Sequence, residues 1–132
     1  MNDDQDAVFA FLAKPETHGL SEPVRRIDTN AAAVFLAGPD VYKVKRAVRF
    51  PFMDLSTLEK RRAVCEAEIA VNRPYAPALY RGVVPVTRAP DGGLTLGGDG
   101  TPVEWAVHLA RFDETMTLDH VAERGELTPA LL

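Results

Sequence analysis

Cysteine is nearly absent from this sequence of 132 residues: Cys65 stands alone, so an internal disulfide is excluded. A zinc site built on paired cysteines goes with it. The three histidines, His18, His108 and His120, are far apart and lack metal-ligand spacing. No apolar run approaches the roughly 20 residues that cross a bilayer. Met1-Asn2-Asp3-Asp4 lacks the basic start of a secretory signal, so a reducing cytoplasm is the expected setting. Positive charge is also short, with 15 Lys+Arg against 19 Asp+Glu and a net charge of −4, which argues against a nucleic-acid partner. There is no G-x-x-x-x-G-K-[ST] phosphate loop. The glycines at 92, 93, 97, 98 and 100 read as hairpin turns, because no helix follows to aim its N-terminus at a phosphate. No serine has a histidine placed for acyl transfer, and there are no repeats.

What remains is the composition of one globular domain, 46% hydrophobic and 26% charged. Asp4 is a candidate cap for a short helix carrying Val8, Phe9, Phe11 and Leu12, stopped by Pro15. Strands are predicted over 24–28, 32–37 and 41–48, the last two joined at Gly38-Pro39-Asp40. Phe50 to Asp54 reads as an apolar connector. Ser56-Thr57-Leu58-Glu59 has the form of a capping box for a helix running to about Arg73, before Pro74. Further strands are expected over 79–87, 94–96 and 102–112, then a short helix from Thr117 to Gly125. Thr128-Pro129 opens one more helix, with only Ala130-Leu131-Leu132 after it; one turn is not stable alone, so the alternatives are a frayed tail and, as we expect, a chain cut from something longer.

Two residues carry chemistry. On the strand after Gly38, alternation puts Val41, Lys43 and Lys45 on one face and Tyr42, Val44 and Arg46 on the other. A lysine on a strand, followed about twenty residues later by a helix glutamate, is how kinase-like folds grip ATP phosphates. Lys43, with Val41 two residues earlier to cover adenine, is the first candidate and Lys45 the reserve. Alternating lysines also mark a solvated sheet face or a guarded edge. On the helix, at about 100° per residue, Leu58, Cys65 and Ile69 share a line that Val64 and Val71 widen, and Glu68 falls between Val64 and Cys65 inside that apolar arc. Glu66 falls outside it, four residues after Arg62, as an exposed pair. A carboxylate on an apolar face must find a partner; Lys43 is one, Arg61 another. Basic residues cluster at 43–49 and at Lys60-Arg61-Arg62, leaving room for a phosphorylated small molecule. His108 faces away from Val107 and Leu109, packed or half-exposed, and Cys65 belongs to the core.

Several blocks follow one another: Val34-Phe35-Leu36-Ala37-Gly38, Val41-Tyr42-Lys43-Val44-Lys45, Phe52 to Arg62 with its Leu58-Glu59-Lys60-Arg61-Arg62, and Cys65-Glu66-Ala67-Glu68. Asn72-Arg73, Ala76-Pro77, Tyr80, Gly82-Val83-Val84-Pro85, Glu104 to Val107 and Arg111-Phe112 come after. In this order they resemble the N-terminal part of bacterial aminoglycoside-phosphotransferase-like proteins, whose longer members add a C-terminal P-loop domain. The resemblance implies an α+β fold, the N-terminal lobe of a protein-kinase-like architecture: a twisted antiparallel sheet, one packed helix and short terminal helices. Residues 1–112 would be that lobe, with its first helix over 4–13. Residues 113–132 would follow the hinge and begin a truncated large lobe. The implied nucleotide-binding residues are Val41, Lys43, Glu68, Leu109 and Arg111, with 109–112 as the hinge and 28–32 as the loop over the phosphates. ATP is the implied ligand, with Mg²⁺ held by residues outside this chain, an unidentified small-molecule hydroxyl as acceptor, and the missing C-terminal lobe as partner. The sequence departs from the pattern twice. The 28–32 loop lacks glycine, with Asn30 and Ala32 where relatives often have histidine and serine. The His-Gly-Asp run, its asparagine and a metal-binding aspartate are absent, so no catalytic residue is expected here. Without those groups the alternatives are a non-catalytic adaptor attached to a P-loop domain and an unrelated α+β binding domain.

Overall fold

The computed structural model describes residues 3–111. In chain order these form helix α1 (Asp3–Leu12), a short 3-10 turn (Pro15–His18), strands β1 (Arg25–Asp28), β2 (Ala32–Ala37) and β3 (Asp40–Lys45), the small strands β4 (Arg49–Phe50) and β5 (Met53–Asp54), helix α2 (Leu58–Asn72), and strands β6 (Tyr80–Arg88), β7 (Leu94–Leu96) and β8 (Thr101–Ala110). The chain is therefore α+β. Six strands make one antiparallel sheet in the order β1-β2-β3-β8-β6-β7, and β4 and β5 pair by themselves.

The β2–β3 turn follows from its two residues. Ala37 pairs with Asp40, leaving Gly38 and Pro39 as the loop. Pro39 cannot adopt a positive φ, and Gly38 does, at +58°; a positive first position alone is the type II′ pattern that suits a twisted hairpin.

The sheet has two covered faces. On one, Val8, Phe9 and Leu12 of α1 pack on Ala33, Phe35, Tyr42, Val44, Val86 and Ala106. On the other, Cys65 of α2 packs with Tyr80 and Val107. Alternation along β3 and β8 separates the two sets, as the sequence predicts.

Several expected boundaries shift. Asp4 lies inside α1, which begins at Asp3 and ends at Leu12. β3 stops at Lys45, because the Arg46 N–H turns to the Ala31 carbonyl. The connector at 50–54 folds back as the β4–β5 ladder. The helix cap is Thr57 in place of Ser56: the Thr57 hydroxyl accepts the Lys60 N–H, while the Ser56 N–H is held by Asp54. The expected elements at 117–125 and 128–132, the segment 113–132 and Phe112 lie outside the described residues. No helix among the described residues is long and apolar enough to cross a membrane.

Candidate functional site

The buried face of α2 is more polar than its sequence suggests. The residues with least exposure are Arg61, Cys65, Glu68 and Asn72, while Val71, expected to widen an apolar arc, is 54% exposed. The helix is rotated so that its carboxylate and guanidinium face the charges of the sheet.

Glu68 is the centre of this face. It lies against β3, where both lysines reach it: Lys45 Nζ stands 2.5 Å from Oε1, and Lys43 Nζ stands 3.3 Å from Oε2. All three side chains are buried, with 6% exposure at Lys43, 7% at Lys45 and 5% at Glu68. The shared face of Lys43 and Lys45 and the burial of Glu68 match the sequence reading. Lys43, the first candidate, pairs with Glu68, and Lys45, the reserve, makes the shorter contact with it. Burial, and then the neighbouring Lys45, lower the Lys43 pKa below the ordinary lysine value, with Glu68 opposing the shift. Asn72 donates to the Glu68 backbone carbonyl, fixing the last turn of the helix beneath the pair.

Arg61, the alternative partner for Glu68, is engaged elsewhere. Its Nε donates to Glu104 Oε1 at 2.9 Å, and its Nη1 donates to the Leu55 carbonyl. Glu104, 1% exposed, also accepts from Gln5 Nε2. Gln5 in turn donates to the Lys45 carbonyl and accepts the Ala47 N–H. The second cluster thus ties α1, α2, β3 and β8 together around one carboxylate. The sequence reading missed it, although Glu104 between Val103 and Trp105 on a strand is itself a buried carboxylate in want of a cation.

Tyr80 was also missed as a site residue. It is 1% exposed on the α2 face, and its hydroxyl has no hydrogen-bond partner among the described residues. Burial first, and the charge of Glu68 second, raise its pKa above the ordinary tyrosine value. The Cys65 thiol is pushed up to about 12, chiefly by burial, as a core cysteine should be.

Val41 pairs with Leu109 across β3 and β8, beside the lysines on the same face. The candidate hinge is largely in use by the fold. The Ala110 N–H donates to the Leu79 carbonyl, and the Arg111 N–H donates to the Pro39 carbonyl. The 28–32 loop is closed on itself as well: the Thr29 N–H donates to the Ala32 carbonyl and the Ala32 N–H to the Thr29 hydroxyl. Asp28, at its start, pairs with Arg26 and Arg46.

On the opposite face, His108 Nε2 lies 2.8 Å from Asp40 Oδ1 and its ring stacks on Tyr42. His18 stacks on the same tyrosine, so two histidines distant in sequence share one aromatic partner. Glu66 pairs with Arg62 on the exposed side of α2, as its spacing predicts. Among the described residues no group of histidine, cysteine and carboxylate side chains could hold a metal ion. No family model matches this sequence, no curated protein matches it, and no solved structure matches its fold.

Proposed function

We propose that this chain is the ATP-gripping small lobe of a kinase-like small-molecule phosphotransferase, with the residues for phosphoryl transfer lying outside it. The observation that carries the reading is the buried Lys43–Glu68 pair: a lysine on the third strand of the sheet held by a glutamate on the helix that follows. Protein kinases use that pairing to hold a lysine against the α- and β-phosphates. An ammonium suits the task as a compact point charge on a flexible stem. Val41 and Leu109 line the same face beside it and suit an adenine ring. Mg²⁺ would be held by groups beyond these residues, and the acceptor hydroxyl by the large lobe. A cytoplasmic setting, where Mg-ATP is the common phosphoryl donor, goes with this reading.

A second reading, a non-catalytic adaptor that keeps the fold, is favoured by one specific feature. The backbone N–H groups of Thr29, Ala32, Ala110 and Arg111, from the loop and hinge that should meet ATP, are hydrogen-bonded within the fold. Thermal unfolding with and without Mg-ATP separates the two. A ligand that binds only the folded chain raises its stability by mass action. The nucleotide reading expects a rise in Tm that Lys43→Ala abolishes. An intact wild-type fold whose Tm ignores Mg-ATP selects the adaptor.

A further inference from the structure

We propose that Gln5 of α1 is a positioning residue: it sets both halves of the Lys45–Glu68 ion pair, and through them the grip on phosphate. That the pair serves a phosphate rests on the nucleotide reading above; that Gln5 sets its geometry rests on the contacts alone.

Gln5 breaks a pattern. Gln5, Val8, Phe9 and Leu12 form the buried stripe of α1, at 3%, 1%, 2% and 0% exposure. That spacing is one apolar helix face, and a leucine at position 5 would complete it. A buried amide must instead find partners, and this one finds three. Nε2 donates to the Lys45 carbonyl and to Glu104 Oε2, each at 2.9 Å, and Oε1 accepts the Ala47 N–H at 2.9 Å. The orientation of the amide is thereby fixed, since exchanging O and N would set Nε2 against the Ala47 N–H.

These partners lead to the two halves of the ion pair. Lys45 ends β3, and the chain turns away directly after it. Gln5 holds peptide groups on both sides of that turn, so the base of the Lys45 side chain is pinned from α1. Glu104 divides its oxygens: Oε2 takes Gln5, while Oε1 takes Arg61 Nε at 2.9 Å and the Trp105 N–H at 3.2 Å. Arg61 stands seven residues before Glu68, about two turns along the same buried face of α2. One amide thus braces the strand that carries Lys45 and, through Glu104 and Arg61, the helix that carries Glu68. The pair closes between them at 2.5 Å, and Lys43 meets the same carboxylate. A satisfied buried network rigidifies its members, and binding groups work when held within about 0.5 Å of the productive geometry.

The test compares Gln5→Met, which keeps the length and loses every polar contact, with Leu12→Val, which trims the same apolar stripe. In the ligand-free chain, Gln5→Met is expected to shift the Glu68 carboxylate ¹³C signal and to quicken hydrogen exchange at Arg61 Nε. Leu12→Val is expected to leave both in place. Mg-ATP should bind Gln5→Met about two- to thirtyfold more weakly than wild type, the range for network residues remote from a ligand. Leu12→Val should bind it as wild type does. Glu68 and Arg61 signals unmoved in Gln5→Met, or moved alike in both variants, overturn the positioning role and leave Gln5 a packing residue. Moved signals with unchanged Mg-ATP affinity overturn its part in binding. A wild-type chain that ignores Mg-ATP removes the nucleotide reading alone, because the ligand-free signals still decide what Gln5 positions. Should Gln5→Met not fold, Gln5→Asn, whose amide falls one methylene short, replaces it in every measurement.

Discussion

The two faces of the sheet are covered by one helix each, and they are held in different ways. Phe9 and Leu12 of α1 lie on Phe35 and Val44, a contact made mainly of apolar area, with Gln5 as its polar tie to Glu104 and the Lys45 carbonyl. Between α2 and the sheet lie Glu68 with two lysines, and Arg61 with Glu104, around a small apolar cluster of Cys65, Tyr80 and Val107. Apolar burial stabilises at about 25 cal/mol per Å² and needs no special geometry. Buried ion pairs seldom improve on a well-packed apolar core, because desolvation offsets the attraction. A fold that needed only stability had no cause to put five buried charges under one helix. The α1 face is held mainly by apolar area, and the α2 face gathers buried charge.

Substitution is the most direct way to break this contrast. Phe35→Ala should cost about 3–5 kcal/mol through the cavity it leaves, and Glu68→Ala about the same by removing the carboxylate that both buried lysines meet. The faces part company on full replacement: the triple change Lys43→Met, Lys45→Met and Glu68→Met should fold with stability near or above that of wild type. Urea denaturation measures all three. A triple variant as unstable as Glu68→Ala would mean that the charges themselves hold α2 in place.

Alkali sharpens the comparison, because buried titrating groups sit mainly under α2. The Cys65 thiol rises from 9.0 to about 12 on folding. Below pH 9 both states keep the proton and this contribution is whole. Between about pH 9 and 12 only the unfolded chain releases it, so stability falls as pH rises, by at most about 4 kcal/mol. Tyr42 and Tyr80 act in the same sense above pH 10, and Lys43, lowered from 10.5, acts in the opposite sense. The difference between wild type and Cys65→Ala isolates the thiol: the variant should be the less stable at neutral pH and the more stable in strong alkali. Stability curves that stay parallel from pH 8 to 11 would place the thiol in contact with water.

Smaller effects belong to the ends and the outside of α2. Thr57→Ala should cost about 1 kcal/mol and Ser56→Ala under about 0.5 kcal/mol, by thermal or urea unfolding; the reverse order would restore the cap to Ser56. Arg62, whose guanidinium lies 4.5 Å from the Trp105 ring centroid and pairs with exposed Glu66, should lose less than about 1 kcal/mol as Arg62→Ala, and less still in high salt.

The sequence made the alternating and helical patterns legible. Two-residue periodicity put Lys43 and Lys45 on one face, and a 100° wheel separated buried Glu68 from exposed Glu66. These are local rules that depend on a few neighbouring residues. Glu104 meets Gln5 across 99 positions of chain, and no local pattern announces that meeting. The wheel also misplaced Val71, because it counts apolar residues whereas the helix turned its charges inward to meet those of β3 and β8. Thr57 takes the cap in place of Ser56, and Asp54 holds the Ser56 N–H that Glu59 was expected to reach. The choice between Lys43 and Lys45 depended on side-chain reach, which spacing alone does not fix.

The most direct test of the account is an amide chemical-shift map of the chain titrated with Mg-ATP. The account predicts shifts at Lys43, Lys45, Glu68, Tyr80 and Val107 on the α2 face, with Phe9, Phe35 and Val44 on the α1 face undisturbed. A silent spectrum, or shifts confined to the α1 face, would contradict it.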